Sequence, residues 1–345
     1  MRATGYASSA YTPEKLQRQS VAAPRSAMKR MTSRRLPWGN TQEVVPDIFM
    51  TPEPEALRDN EQMKREKEEK LAKGTYKPAL MEHIDFHDRC DHEHFRYAPW
   101  SGRSQFWIYL ISFGKGGFFL FLFFGTWGAV SGAMRASQDY LQAFIESFNA
   151  IFFAATLPCL VIWMLCSLVI HKFPRLWIKP GKGPKWELNR RTGMITLFEY
   201  RRKKVTEKRA PFHEFDAYIN TTPDRQGLPM NVLSLEHRYE DIRIFFGDIQ
   251  PPDRNTHQLC ALWDFIQNYM DTSHPLPDAP LFEEHRPNDP TTAEHDQAAG
   301  RNPRYWIDMD EDTFKKEQML MRSRVNGINT FSRANLMARY VTYPL

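Results

Sequence analysis

Two apolar stretches dominate this 345-residue chain and limit what it can become. FWIYLISFGKGGFFLFLFFGTWGAVSGAM runs from about Phe106 to Met134, and FNAIFFAATLPCLVIWMLCSLVI from about Phe148 to Ile170. A hydrocarbon core of ~30 Å takes ~20 apolar helical residues, and each stretch is long enough. Soluble core helices seldom run this far without charge. The pattern therefore predicts a two-span transmembrane hairpin over 104–171, with most of the mass in water. Lys115 interrupts the first stretch. Either the span shifts to Gly116–Met134 and the lysine snorkels to the headgroups, or the lysine faces protein or water as a functional group. Pro158 predicts a kink in the second span.

The flanks are basic. Arg89, Arg96 and Arg103 precede the first span, and His171, Lys172, Arg175, Lys179, Lys182 and Lys185 follow the second. The positive-inside bias puts both termini in the cytoplasm and a short hairpin outside. Trp100, Trp107, Trp127 and Trp177 fall near the expected interfaces. With no early apolar run, no secretory signal peptide is expected. The four cysteines show no CxxC spacing, which suits a reducing compartment rather than a disulfide framework.

The net charge of +5 is uneven: residues 1–38 hold eight Arg and Lys against the lone Glu14. Residues 1–53 read as a disordered basic arm held near the membrane by anionic lipid. A mitochondrial transit peptide shares this composition. Nothing interleaves aromatic and basic residues, so nucleic acid is not an expected partner. Residues 54–73 predict a charged, solvated helix with i,i+4 pairs such as Glu61 and Arg65.

After the second span the periodicity changes. Trp186–Asn189 and Met194–Tyr200 alternate across a turn at Arg190–Gly193, followed by RRKKVTEKR, exposed as hairpin or loop. Phe212–Asn220, Asn231–His237 and Ile242–Phe246 read as further strands. Thr256 is placed to cap a helix with the apolar face Leu259, Leu262, Trp263, Ile266, Tyr269 and Met270. The fold class expected is an α+β membrane protein. Its transmembrane hairpin is followed by a cytoplasmic antiparallel β domain over 182–272, closed by one helix and pleckstrin-homology-like, with a generic α+β sandwich as the alternative. From 273 to 345 an extended proline-rich segment wraps that domain on Leu276, Leu281, Phe282, Tyr305 and Trp306. A short helix over Asp310–Arg324 and a basic tail follow.

The densest set of possible ligands is MEHIDFHDRCDHEHF, in the juxtamembrane segment that completes 54–103. His83 with His87, and Cys90 with His94, are four apart and would share a helix face, as helical zinc ligands do. A solvated acidic-histidine surface gives the same pattern. Asp308, Asp310, Glu311 and Asp312 lack the glycine and terminal glutamate of a calcium loop. PGKGPK at 180–185 does not match a phosphate loop. Its lysines Lys182 and Lys185, with Lys172, Arg175, Lys179, Arg201, Arg202, Lys203 and Lys204, suit anionic lipid headgroups instead. No GxSxG elbow or Cys/His nucleophile pair is present, so neither an enzyme nor a cofactor is expected.

Three segments carry a resemblance: WELNRRTGMITLF (Trp186–Phe198), ALWDFIQNYMDTSHPLPDAPLFEEHRPNDPTT (Ala261–Thr292) and GRNPRYW (Gly300–Trp306). Together, over roughly residues 95–310, the chain resembles an uncharacterised family of proteobacterial two-span membrane proteins often associated with type VI secretion gene clusters. The resemblance implies a bacterial inner-membrane protein that binds a secreted effector or spike component as adaptor or immunity protein. A lipid-binding or membrane-organising module is the alternative. The family offers no catalytic residues to carry across.

Overall fold

The computed structural model describes residues 5–16, 33–78, 82, 84–135, 139–201 and 204–342. The first strands and α-helix among the described residues are β1 (Ser33–Arg35), α1 (Pro54–Ala72), β2 (Arg89–Cys90) and β3 (His94–Tyr97). The apolar region follows as α2 (Gly102–Arg135), α3 (Tyr140–Ile151), α4 (Leu157–Lys172) and the single turn α5 (Pro174–Trp177). Six strands come next: β4 (Trp186–Asn189), β5 (Met194–Arg201), β6 (Lys204–Pro211), β7 (Phe215–Pro223), β8 (Pro229–His237) and β9 (Arg243–Phe245). Three helices end the chain: α6 (His257–Met270), α7 (Pro290–Ala299) and α8 (Glu311–Asn326).

These elements form two units. A β unit holds Met1–Tyr76, Asp88–Tyr97 and Pro184–Leu345, and a hairpin unit holds Lys77–His87 and Ala98–Gly183. The β unit contains two antiparallel sheets, ordered β1-β7-β8-β9 and β2-β3-β4-β5-β6. Strands β3 and β4 are direct neighbours, with Tyr97 opposite Trp186 and His94 opposite Asn189. The hairpin is therefore inserted between two paired strands. The expectation that a β domain simply follows it, over 182–272, is corrected: the fold recruits sequence from both sides.

The reason lies in α6, which is covered all round. Its predicted apolar face is wholly buried, and so are Cys260, Ala261 and Phe265 beside it. One side meets the segment expected to be a disordered arm. Trp38 is buried and donates its indole N–H to the Phe215 carbonyl at 3.0 Å. Trp263 donates to the Pro37 carbonyl at 2.9 Å, and the two indoles meet edge-on with centroids 4.8 Å apart. Polar side chains of α6 then bind the backbone of that segment: Gly39 N–H donates to Gln267 at 2.9 Å and Gln42 N–H to Asp264 at 3.0 Å. Residues 5–16 and 33–53 are thus structural, because they supply part of the apolar cover that α6 needs; residues 17–32 lie outside the described residues.

The C-terminal segment covers α6 as well. Leu276, Phe282 and Trp306 are buried, while Leu281 is half-buried and Tyr305 exposed. Part of this supposedly extended segment is the helix α7. Asp289 caps it, accepting from Thr292 N–H at 3.1 Å, Pro290 is its first residue, and Gly300 ends it at φ +62°. Those are the ordinary start and stop residues of a helix. At α6, Thr256 stands at the N-cap without a side-chain capping bond, and Asn255 accepts from His257 N–H at 2.9 Å.

Candidate functional site: an apolar hairpin with a basic base

Two helical runs of the hairpin unit, α2 and the continuous stretch Tyr140–Lys172 that holds α3 and α4, are long and apolar enough to cross a membrane. Most of their surface is exposed within the unit, including Phe123, Trp127, Phe153 and Leu165. A soluble core hairpin would bury such side chains. Helix α2 has 34 residues, about 50 Å at 1.5 Å per residue, so it outruns a hydrocarbon core of ~30 Å.

Glycines let the two strokes of the hairpin approach closely. A Cβ on Gly114 would lie 2.8 Å from the Trp163 backbone nitrogen, on Gly117 2.8 Å from Cys159 Sγ, and on Gly125 2.7 Å from Ile151 Cγ2. Apolar helices in lipid gain contact mainly through such small residues. Pro158 lacks an N–H, and the chain absorbs that loss upstream as a π-helical turn, Phe152–Thr156, between α3 and α4. A local widening of the helix thus sits just before Pro158.

The open end of the hairpin is pinned by Ser104, which is buried. Its hydroxyl lies 2.8 Å from the Trp177 carbonyl and 3.0 Å from the Lys179 carbonyl, and accepts from Lys179 N–H at 3.0 Å. Trp100 stacks on Trp177 at 6.5 Å, and Trp177 donates to the Ile170 carbonyl at 3.2 Å. Around this base Lys172, Arg175, Lys179 and Lys182 are exposed, with no carboxylate between His171 and Gly183. Sequence reasoning missed Ser104; its one signal is a small polar residue one position after Arg103, ahead of the apolar run.

The other predicted headgroup contacts lie in the β unit. Lys185 is paired with Asp248 at 2.6 Å. Arg201 and Lys204 are exposed at the facing ends of β5 and β6, and Arg201 lies 3.8 Å from Glu199. Arg202 and Lys203 lie outside the described residues.

The proposed ligand cluster is rearranged. The i,i+4 helix spacing does not hold, because Asp91 accepts from the N–H groups of Glu93 and His94 at 2.8 and 2.7 Å and turns the chain into the β2–β3 hairpin. Cys90 pairs with Phe95, so Cys90 and His94 point to opposite faces. Burial, then the charges of Asp91 and Asp88, push the Cys90 thiol well up, away from the thiolate a metal needs. His87 belongs to the hairpin unit, where its ring lies 3.3 Å from Asp85. His83 lies outside the described residues. Among the described residues no three His, Cys, Asp or Glu side chains group to hold a metal ion.

His94 has a different partner. Its Nδ1 lies 2.8 Å from Glu187, whose other oxygen accepts from Arg96 Nε at 2.8 Å. All three lie on one face of the β3–β4 pair. The bond to Glu187 raises the His94 pKa, outweighing burial. Burial alone would raise Glu187, but hydrogen bonds from His94 and Asn189 and the charge of Arg96 hold it down at about 2. The constellation is a closed ion pair. Sequence spacing hid it because residues 94 and 187 are brought together only by pairing across the inserted hairpin.

Comparison of the chain with protein-family models, curated proteins and solved structures gives no match.

Proposed function

We propose that this is a two-span membrane protein that acts by binding, its β unit anchored by the hairpin. The observation that carries the reading is the exposed apolar surface of two spanning-length helices, closed at their open end by buried Ser104 and a collar of unpaired-by-sequence cations. The positive-inside bias supports both termini in the cytoplasm. The motif resemblance supports a bacterial inner membrane and a type VI effector or spike component as partner, with the chain serving as adaptor or immunity protein. The test is carbonate extraction followed by pull-down of the tagged, detergent-solubilised chain from its host. Retention in the membrane pellet with a near-stoichiometric secreted partner is the expected result. Extraction into the supernatant sinks the anchor reading, and recovery of general membrane proteins alone sinks the secretion reading.

A lipid-binding role is the second reading, and the exposed Arg201 and Lys204 favour it. The order of an antiparallel meander, three further strands and one closing helix supports a pleckstrin-homology-like β unit. On this reading anionic vesicles bind the full chain in a salt-sensitive way, and neutralising Arg201 through Lys204 removes that sensitivity.

A further inference from the structure

Lys115 is the only charged residue between Arg103 and Arg135. Its depth can be read from the helix it packs beside. The uncharged run of the second stroke, Phe148–Ile170, has its middle at Cys159, and Cys159 faces Gly117. Lys115 is two residues from Gly117, about 3 Å along the axis. If the hairpin spans a bilayer, as proposed above, the lysine sits near mid-depth. An amine there is about 15 Å from either edge of the hydrocarbon, well beyond the reach of a four-carbon stem.

Its side chain also points outward. Gly114 is buried against Trp163, whereas Ser112, Lys115 and Gly116 are exposed. The amine lies 6.0 Å from the centre of the Trp163 ring and has no ion-pair partner among the described residues. Between Ala98 and Gly183 the only carboxylates are Asp139 and Glu146. Glu146 accepts from Gln142 at 2.9 Å and stands 13 residues before Cys159, about 20 Å away along the helix.

We propose that Lys115 docks a transmembrane helix of another protein carrying a carboxylate at mid-depth. Intramembrane charges are costly and are typically matched by a charge of opposite sign or a polar cavity. A second copy of this chain brings only another Lys115 to that depth, so charge complementarity points to a different, acidic partner. Ser112 and Gly116, one turn apart, keep the same face low, and a Cβ at Gly116 would meet nothing within 4 Å. That lets a second backbone come close.

The test uses the full chain in lipid vesicles with a synthetic leucine-alanine helix bearing one central Asp, and its Asn counterpart, read by energy transfer between labels. The Asp helix is expected to associate about tenfold more tightly than the Asn helix. Lys115→Leu removes the preference and Lys115→Arg keeps it. Equal binding of both helices, or an Asp preference that survives Lys115→Leu, overturns the proposal, as does self-association of the chain that depends on Lys115 in its place. Carbonate extraction of the same vesicles separates the two readings: a protein that stays with the membrane but ignores the Asp helix refutes the docking site alone, while a protein released by carbonate refutes the span as well.

Discussion

Arg190 is wholly buried and fully engaged. Its guanidinium binds Asp289 through Nε at 3.0 Å and Nη2 at 3.2 Å, and donates to the carbonyls of Asp271 and His274 at 2.9 and 2.7 Å. It thereby ties the β4–β5 turn to the end of α6 and the start of α7. Removing one member of such a pair strands the other charge in the interior, so Asp289→Ala should cost about 3–5 kcal/mol, read from a denaturant midpoint. The His94–Glu187 pair gives a pH signature. A histidine whose pKa is raised on folding contributes fully below its unfolded value of 6.5 and loses that as pH rises through the raised one. A glutamate lowered from 4.5 to about 2 contributes above 4.5 and loses that as pH falls toward about 2. The pair therefore helps most between about pH 4.5 and 6.5. Glu187→Gln should lower stability there by up to about 3 kcal/mol and flatten the profile of melting temperature against pH. An unchanged profile would show that the pair is energetically silent.

At the level of elements, much was legible where one segment decides its own structure. The two apolar helices, the Arg190–Gly193 turn and the apolar face of α6 all follow from local periodicity, and α8 begins one residue after its predicted start. What stayed hidden needed a distant partner. Ser33–Arg35 is a strand only because it pairs with Tyr218–Asn220, and a run of histidines and aspartates concealed a short hairpin set by Asp91. The Glu187 cluster leaves no local signal and the Ser104 staple only a small polar residue ahead of the apolar run, since both join residues more than 70 positions apart. Within the hairpin unit, the close approach at Gly114 gives a direct test. Gly114→Val puts side-chain carbon against the Trp163 backbone and should force α2 and α4 apart. Lower resistance to unfolding by SDS in mixed micelles is expected, whereas Gly116→Val, on the open face, should leave that resistance unchanged.

For the whole molecule, the insertion between β3 and β4 means that the two units are separable on paper. Lys185 N–H donates to the Tyr97 carbonyl at 2.7 Å, and Tyr97 stands opposite Trp186. Replacing Ala98–Pro184 by Asn-Gly would close the gap as a three-residue hairpin loop. The product should stay in solution without detergent and unfold in one cooperative transition. Aggregation of this variant would show that the hairpin is needed for the β unit to fold. Residues 182–272 alone should fail the same test, because Trp38, Leu276 and Phe282 all belong to the core that covers α6.

That insertion also sets an order of events during synthesis. Strand β3 leaves the ribosome about 90 residues before β4, with which it pairs, a delay of roughly 5–20 s at about 5–20 residues per second. Trp38 waits longer still for Trp263. Through that interval β3 has β2 beside it but not β4, while the apolar helices emerge. Closure of the β unit is thus a late event, possible only after the whole apolar hairpin has left the ribosome.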